Sequence, residues 1–285
     1  MNGLARLLAV GLLAAAGAAT AAETSALRNL QPSDDPAASP VWQKVQASLF
    51  EGRAIAPAPA GMLQLDAPAR AIDAAVVPIA IRSKFPHTAA NYVAKLYLII
   101  DANPSPISGI FGFTPESGRA EVETRVRVDA YSHVRAIAET SDGKLYGVTR
   151  FVKASGGCSA PPGSDAKAAL ATLGQMRMRV DGDARGAAPV LATLMIDHPN
   201  HSGLAMDQYT RQFTPAHYVR KVEVSYAGKP VFSADVDFSM SENPNFRFWF
   251  QPQLAGGSAG ELRATVVDSQ ELRFVAAQAL RDSPK

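Results

Sequence analysis

The feature that most limits what this chain can become is a long series of short strand-like runs, each closed by turn formers, with no sustained helical repeat between them. Val76–Ile81, Val93–Ile100 and Ile107–Phe113 are bounded by turn formers such as Asn103-Pro104 and Thr114-Pro115. Val122, Thr124, Val126 and Val128 then alternate with Glu121, Glu123, Arg125 and Arg127, the two-residue period of a strand with one solvated face. Val134–Glu139, the turn Ser141-Asp142-Gly143-Lys144 and Leu145–Lys153 complete a first series. The second series comprises Met176–Val180, Val190–Ile196, Tyr218–Tyr226, Val231–Val236, Phe246–Phe250, Leu262–Val267 and Leu272–Ala276, with Ala227-Gly228-Lys229 and Gly256–Gly260 as hairpin loops. The fold class is therefore all-β, two antiparallel sandwiches in succession.

Helix is confined to small pieces. Ser39-Pro40 reads as an N-cap followed by proline at the first helical position, with Trp42, Val45 and Leu49 on one face, so a short N-terminal helix docks on the strands after it. Ala54–Pro68 is proline- and alanine-rich and suits an extended connection, and Ala166–Leu173 adds a helical turn or two.

The start of the chain, a short cationic stretch followed by an Ala- and Leu-rich run and Ala19-Thr20-Ala21, has the pattern of a signal peptide over residues 1–21. The run is too brief to span a bilayer, so the expected destination is the periplasm and not the membrane. Residues 22–38 form a polar, flexible N-terminal arm, 39–153 the first sandwich, 154–168 a Gly/Pro linker and 169–285 the second sandwich. A net charge of +2 without a basic stripe excludes nucleic acid as a partner.

The linker carries the only cysteine, Cys158, within Ser155-Gly156-Gly157-Cys158-Ser159. One cysteine cannot close an internal disulfide, so in an exported chain it is inert, joined to another molecule or functional. Serine and two glycines before it and serine after it predict a flexible arm made of Ser155, Gly156, Gly157 and Ser159 and an exposed thiol with an ordinary pKa of about 8.5. Cys158 is the sixth residue after Val152, an extended reach of at most ~20 Å. A disulfide-linked dimer through Cys158 is a further expectation for such a thiol.

Other motifs point elsewhere less well. Gly256-Gly257-Ser258-Ala259-Gly260 matches a hydrolase elbow in letters only, since a strand comes after it where the elbow needs a helix. His198 and His201 have metal-ligand spacing but no evident third ligand, so no metal is assigned. A blue-copper site needs a histidine and a methionine soon after the cysteine, and neither occurs between Ser159 and Gln175. No phosphate-binding glycine loop is present, so no cofactor is assigned.

The quoted residues also carry a family resemblance. Ile99–Pro104, Phe113-Thr114-Pro115, Thr124–Val128, Ala138–Gly143 and Lys153–Cys158 resemble SoxY, the sulfur-carrying half of a periplasmic pair. Ile196-Asp197-His198-Pro199, Ser202-Gly203-Leu204, Thr214–Tyr218, Ala227-Gly228-Lys229, Ser239–Pro244 and Phe246-Arg247-Phe248 are similar to SoxZ, its partner. The resemblance implies immunoglobulin-like sandwiches packed face to face and a carrier that is not itself an enzyme, with a sulfur intermediate held covalently on Cys158. It implies as partners the oxidising and hydrolysing enzymes of a thiosulfate or sulfur oxidation system, with His198, Pro199 and His217 as partner-contact residues. Two departures stand out: Cys158 is internal and followed by Ser159-Ala160 where the family has two glycines, and the two halves are fused. Fused chains of this kind resemble a subgroup associated with quinoprotein (PQQ-dependent) dehydrogenases. The rival reading is a non-catalytic adaptor for such a dehydrogenase or a cytochrome, with the cysteine incidental.

Overall fold

The computed structural model describes residues 30–163, 166–182, 186–252 and 260–280. The signal peptide assigned to residues 1–21, the first part of the N-terminal arm and most of the Gly256–Gly260 loop lie outside the described residues.

The first series of runs folds into β3 (Val77–Ser83), β4 (Val93–Ile100), β5 (Ile107–Gly112), β6 (Glu121–Val126), β7 (Ser132–Thr140) and β8 (Leu145–Val152). The second gives β9 (Met176–Asp181), β10 (Val190–Ile196), β11 (Val219–Tyr226), β12 (Lys229–Val236), β13 (Asn245–Phe250), β14 (Glu261–Asp268) and β15 (Arg273–Ala279). The stretch read as an extended connection holds two further strands, β1 (Ile55–Pro57) and β2 (Leu63–Asp66). Each is too short to show a period, and each exists because a partner strand offers it hydrogen bonds: β1 runs parallel to β8, and β2 antiparallel to β3. Two residues in the left-handed region, Ala227 at φ 48° and Gly228 at φ 78°, make the tight turn from β11 to β12.

The helix α1 (Pro40–Leu49) begins where its cap predicts: the Ser39 hydroxyl accepts from Trp42 N at 3.2 Å. Trp42 and Val45 bury against Phe50, Tyr97, Ile99, Ile137 and Leu145 on one face of the first half. Arg135 lies 4.4 Å over the Trp42 ring and binds Asp101, with Arg135 Nη2 and Asp101 Oδ2 2.5 Å apart, so the helix is pinned by charge as well as apolar area. A second helix, α2 (Ala166–Ala171), spans the connection between the halves.

The two halves do not stack face to face as the resemblance implies. They join edge to edge. One nine-stranded sheet runs β1-β8-β7-β4-β5-β12-β11-β14-β15, and a six-stranded sheet runs β2-β3-β6-β13-β10-β9. Both cross the seam: β5 pairs with β12 and β6 with β13, each antiparallel. A strand edge left open would expose unpaired N–H and C=O groups, and here each half supplies the cover for the other.

Beneath the seam the two sheets share one apolar core. Phe111 of the first half stacks on Phe232 of the second at 6.3 Å, Phe232 lies 4.5 Å from Phe248, and Phe113 meets Phe232 edge-on at 5.9 Å. Gly112 on β5 faces Ser233 on β12, and an added Cβ would sit 2.4 Å from Ser233 Oγ, so a side chain there would make that hydroxyl rotate away. Polar groups complete the seam: Ser117 Oγ donates to Val231 O at 2.5 Å, Thr114 Oγ1 to Pro230 O at 2.7 Å, and Arg247 binds Glu123.

A core common to both halves unfolds as a unit. Phe232→Ala should lose about 3–5 kcal/mol and lower a single cooperative thermal transition monitored by circular dichroism. A protease site engineered after Ala160 should leave the two fragments co-eluting in size exclusion, whereas two independent sandwiches would separate.

Candidate functional site

After β8 the chain crosses to the junction of the halves and turns back at residues 155–159, and the sulfur lies inside that turn. Cys158 has no exposed surface, which corrects the exposed thiol expected from its glycine setting. The glycines are there for docking. Gly156 takes a left-handed φ of 77°, which the turn requires. At Gly157 an added Cβ would lie 2.1 Å from Ala74 O and 2.6 Å from Val128 O, so only glycine lets the backbone lie this close. The segment read as a flexible arm is thus a fitted turn, with Ser155 and Ser159 exposed and Gly157 and Cys158 buried.

Among the described residues the turn is held by five hydrogen bonds to groups outside it, besides the Ser159 Oγ bond to Gly156 O at 3.4 Å within it. Gly156 N donates to Asp129 O at 2.7 Å, Gly157 N to Val128 O at 3.1 Å and Cys158 N to Asp129 Oδ1 at 3.3 Å. From the second half Ser202 Oγ donates to Cys158 O at 2.5 Å, and Arg127 Nη1 of the first half donates to Gly157 O at 3.4 Å. A cleft of about 470 Å³ lined by Asp129, Tyr131, Ser155, Gly156 and Ser159 opens beside it.

Arg127 is the hub. Its alternation with Val126 and Val128 reads as a solvated position, yet it is only 5% exposed. The guanidinium reaches Met240 O at 3.3 Å, Asn200 O at 3.2 Å and the Gly157 carbonyl, so one cation joins both halves and the cysteine turn. Burial pushes its pKa down, and the neighbouring Cys158, Glu242 and Asp73 oppose that. Asn103 sets the segment from which it projects, donating to Arg127 O at 2.9 Å and accepting from Asp129 N at 2.9 Å.

Burial pushes the Cys158 thiol up to about 12, with the Asp129 carboxylate adding to the rise and Arg127 opposing it. Docked, the group is a neutral thiol at physiological pH, neither nucleophile nor metal ligand. The expected ordinary value applies only to a turn that has left its seat.

The three residues read as partner contacts are buried too. His198, Pro199 and His217 lie inside the second half, where the loop that receives the turn is anchored. The strand-ending Asp268 takes His217 Nε2 at 2.7 Å, with His198 Nε2 3.6 Å from the same oxygen. Burial raises the Asp268 pKa, but the hydrogen bonds from His217 and from Leu272 N and Gln270 N outweigh it and leave the carboxyl below its usual range. These three side chains converge as metal ligands do, their donor atoms within 4.8 Å of one another. The tautomer argues against a metal: Asn200 N–H donates to His198 Nδ1 at 3.1 Å, so neutral His198 carries its proton on Nε2 and has no lone pair to offer there. Burial and the adjacent His217 hold His198 down at about 4, in that neutral form. His201, which sequence spacing pairs with His198, is not in the cluster.

Sequence reasoning missed Arg127, Asn103, Ser202, Asn200 and Asp268. Their signals are single polar letters in loops or at strand ends, and only the meeting of the two halves gives them a common purpose.

The fold and site together define a class: a double β-sandwich whose first half delivers a single cysteine into its junction with the second. Residues 46–158 match the family model of the sulfur oxidation protein SoxY, a match that ends on the cysteine itself, and residues 178–279 match that of the sulphur oxidation protein SoxZ. The chain belongs to the SoxYZ family, as a fusion of the two domains in one polypeptide. Among curated proteins none matches it. Similar solved structures include the sulfur carrier protein SoxY from Chlorobium limicola f thiosulfatophilum, 24% identical over 40% of this chain and 91% of that one with a TM-score of 0.34. Another is the E23A variant of a superoxide reductase (neelaredoxin) from Ignicoccus hospitalis, 15% identical over 32% of this chain and 78% of that one with a TM-score of 0.30.

The thiol's seat makes a pH prediction. Its pKa is higher docked than free, so docking is favoured fully below the free value of about 8.5 and is progressively lost as pH rises towards the docked value of about 12. Alkylation of Cys158 by iodoacetamide should therefore be slower than that of free cysteine at pH 7 and should keep rising with pH after free cysteine levels off; a plateau near the free value would mean an undocked thiol. Arg127→Met should raise the rate at pH 7 and cost about 1–3 kcal/mol for each carbonyl left unpaired.

Proposed function

We propose that this chain is a carrier in sulfur oxidation that takes an intermediate covalently on Cys158 and presents it to partner enzymes after export to the periplasm. The observation that carries the reading is the position of Cys158: it closes the SoxY match and sits in a short turn flanked by exposed Ser155 and Ser159, bound by Arg127 of the first half and Ser202 of the second. Each hydrogen bond of the turn contributes on the order of 1 kcal/mol net, so release of the turn costs a few kcal/mol, which a partner that binds the released form supplies.

Undocking changes the chemistry of the sulfur. In water the pKa returns towards the ordinary value and a few per cent of thiolate forms at neutral pH. Joining that sulfur to a sulfur anion makes an S–S bond, releases the thiol proton and yields two electrons, so the loading partner is a redox protein that accepts them. The electrons leave with that partner, so in this step the carrier serves as a substrate. Partners of this kind are oxidising and hydrolysing Sox-type enzymes or a PQQ-dependent dehydrogenase system.

A second reading has its own observation. The complete burial of Cys158 suits a non-catalytic adaptor in which the cysteine fills space at the seam. Intact-mass spectrometry separates the two. Protein isolated from its own cells without reductant should carry a discrete added mass on Cys158, and Cys158→Ser should keep the fold while abolishing sulfur oxidation in a complemented deletion strain. A bare thiol together with full complementation by Cys158→Ser establishes the adaptor instead, and a mass of twice the chain that collapses with reductant identifies a disulfide dimer.

A further inference from the structure

The outer face of the six-stranded sheet carries a depression that the cysteine chemistry does not use. It has a volume of about 550 Å³ and lies across the seam, with Pro78 and Ala80 in its floor. These residues are small, and longer side chains stand around them: Arg82, Arg125, Arg150 and Arg247, with Asp66 and Glu123. Arg82 is bound to both acids and Arg247 to Glu123, which fixes those guanidinium groups in place. Arg125 and Arg150 are exposed and have no ion pair or side-chain hydrogen bond among the described residues. Four arginines against two carboxylates leave the rim with a net charge of two positive units, carried by the two unpaired groups.

Asn245 lines the depression as well, but its unpartnered Oδ1 is sealed from the space and takes no part in what binds there. What the depression offers a ligand is its two unpaired guanidinium groups, which call for carboxylates. The volume, within the range of about 300–1,000 Å³ that ligand sites occupy, is also far larger than a single oxyanion needs.

The depression is connected to the thiol's seat by both unpaired arginines. Arg125 precedes Arg127 by two residues, and Arg127 holds the Gly157 carbonyl. Arg150 precedes Val152, the last residue of β8, after which the chain runs directly into the cysteine turn.

We infer that this arginine-rimmed depression is the docking point for an acidic segment of a partner protein, with its carboxylates on Arg125 and Arg150. The role as a partner's landing site rests on the carrier reading. The binding itself does not, so the two are tested apart. Electrostatic capture of this kind speeds association and weakens as salt screens it.

The test is fluorescence anisotropy of a fluorescein-labelled polyglutamate peptide with the full chain. Saturable binding is expected, falling as NaCl is raised and weakened about tenfold or more by the double variant Arg125→Glu with Arg150→Glu. Arg273→Glu on β15, at the end of the nine-stranded sheet far from β8, is the matched control and should bind as the parent does, and melting curves of all variants confirm that they fold. Equal binding by the double variant and the control, or displacement by sodium sulfate at the concentration at which sodium chloride of equal ionic strength has no effect, overturns the proposal; the latter marks a small-oxyanion site. Cys158→Ser must bind the peptide as the parent does. If it does so while no adduct is ever found on Cys158, the carrier reading fails and the docking site stands; an adduct on Cys158 with no peptide binding gives the reverse.

Discussion

The structure depends on two strand pairings that no half can make alone. With β5 on β12 and β6 on β13, both sheets pass through the seam without interruption, and the phenylalanines beneath them belong to neither half. Removing either partner would uncover two sheet edges and one wall of an aromatic core, a combination that favours aggregation over independent folding. The seam is therefore not an interface between finished domains. It is the interior of the molecule, and the seating of the cysteine is a result of that placement.

Arg127 shows what such an interior permits. A buried cation is costly unless its hydrogen bonds are met, and here they are met by carbonyls of three separate segments, none of which lies near another in sequence. Because two of these carbonyls belong to the second half and one to the turn, the seating of Cys158 is coupled to the assembly of the whole. The His198, His217 and Asp268 cluster supports the same loop from behind, through Asn200, which donates to His198 Nδ1 and to Met240 O while its own carbonyl holds Arg127. These are positioning contacts around a sulfur that is chemically silent until it moves.

Much of the architecture was legible in the letters. The alternation of β6, the apolar runs of β4, β10 and β14 and the cap at Ser39 each reflect a local physical rule, and the structure places strands and helix there. What escaped were the consequences of long-range pairing. β1 and β2 form only because β8 and β3 wait for them, and the family resemblance suggested stacked sandwiches where strand edges in fact meet. The cysteine turn was misread for a related reason. Glycine signals freedom in isolation, yet Gly157 is required by the two carbonyls pressed against it, and nothing near it in sequence announces Ala74 or Val128. Arg127 hid in the same way, as one more charged letter on an alternating strand.

The covalent continuity of the two halves has a thermodynamic consequence. Two separate chains meeting at such a seam would obey mass action, and their pairing would weaken as the compartment around them grew more dilute. Here the partner arrives at an effective concentration set by the tether alone. Stoichiometry is one to one by construction, and a single copy of the molecule is as completely assembled as a crowded solution of it.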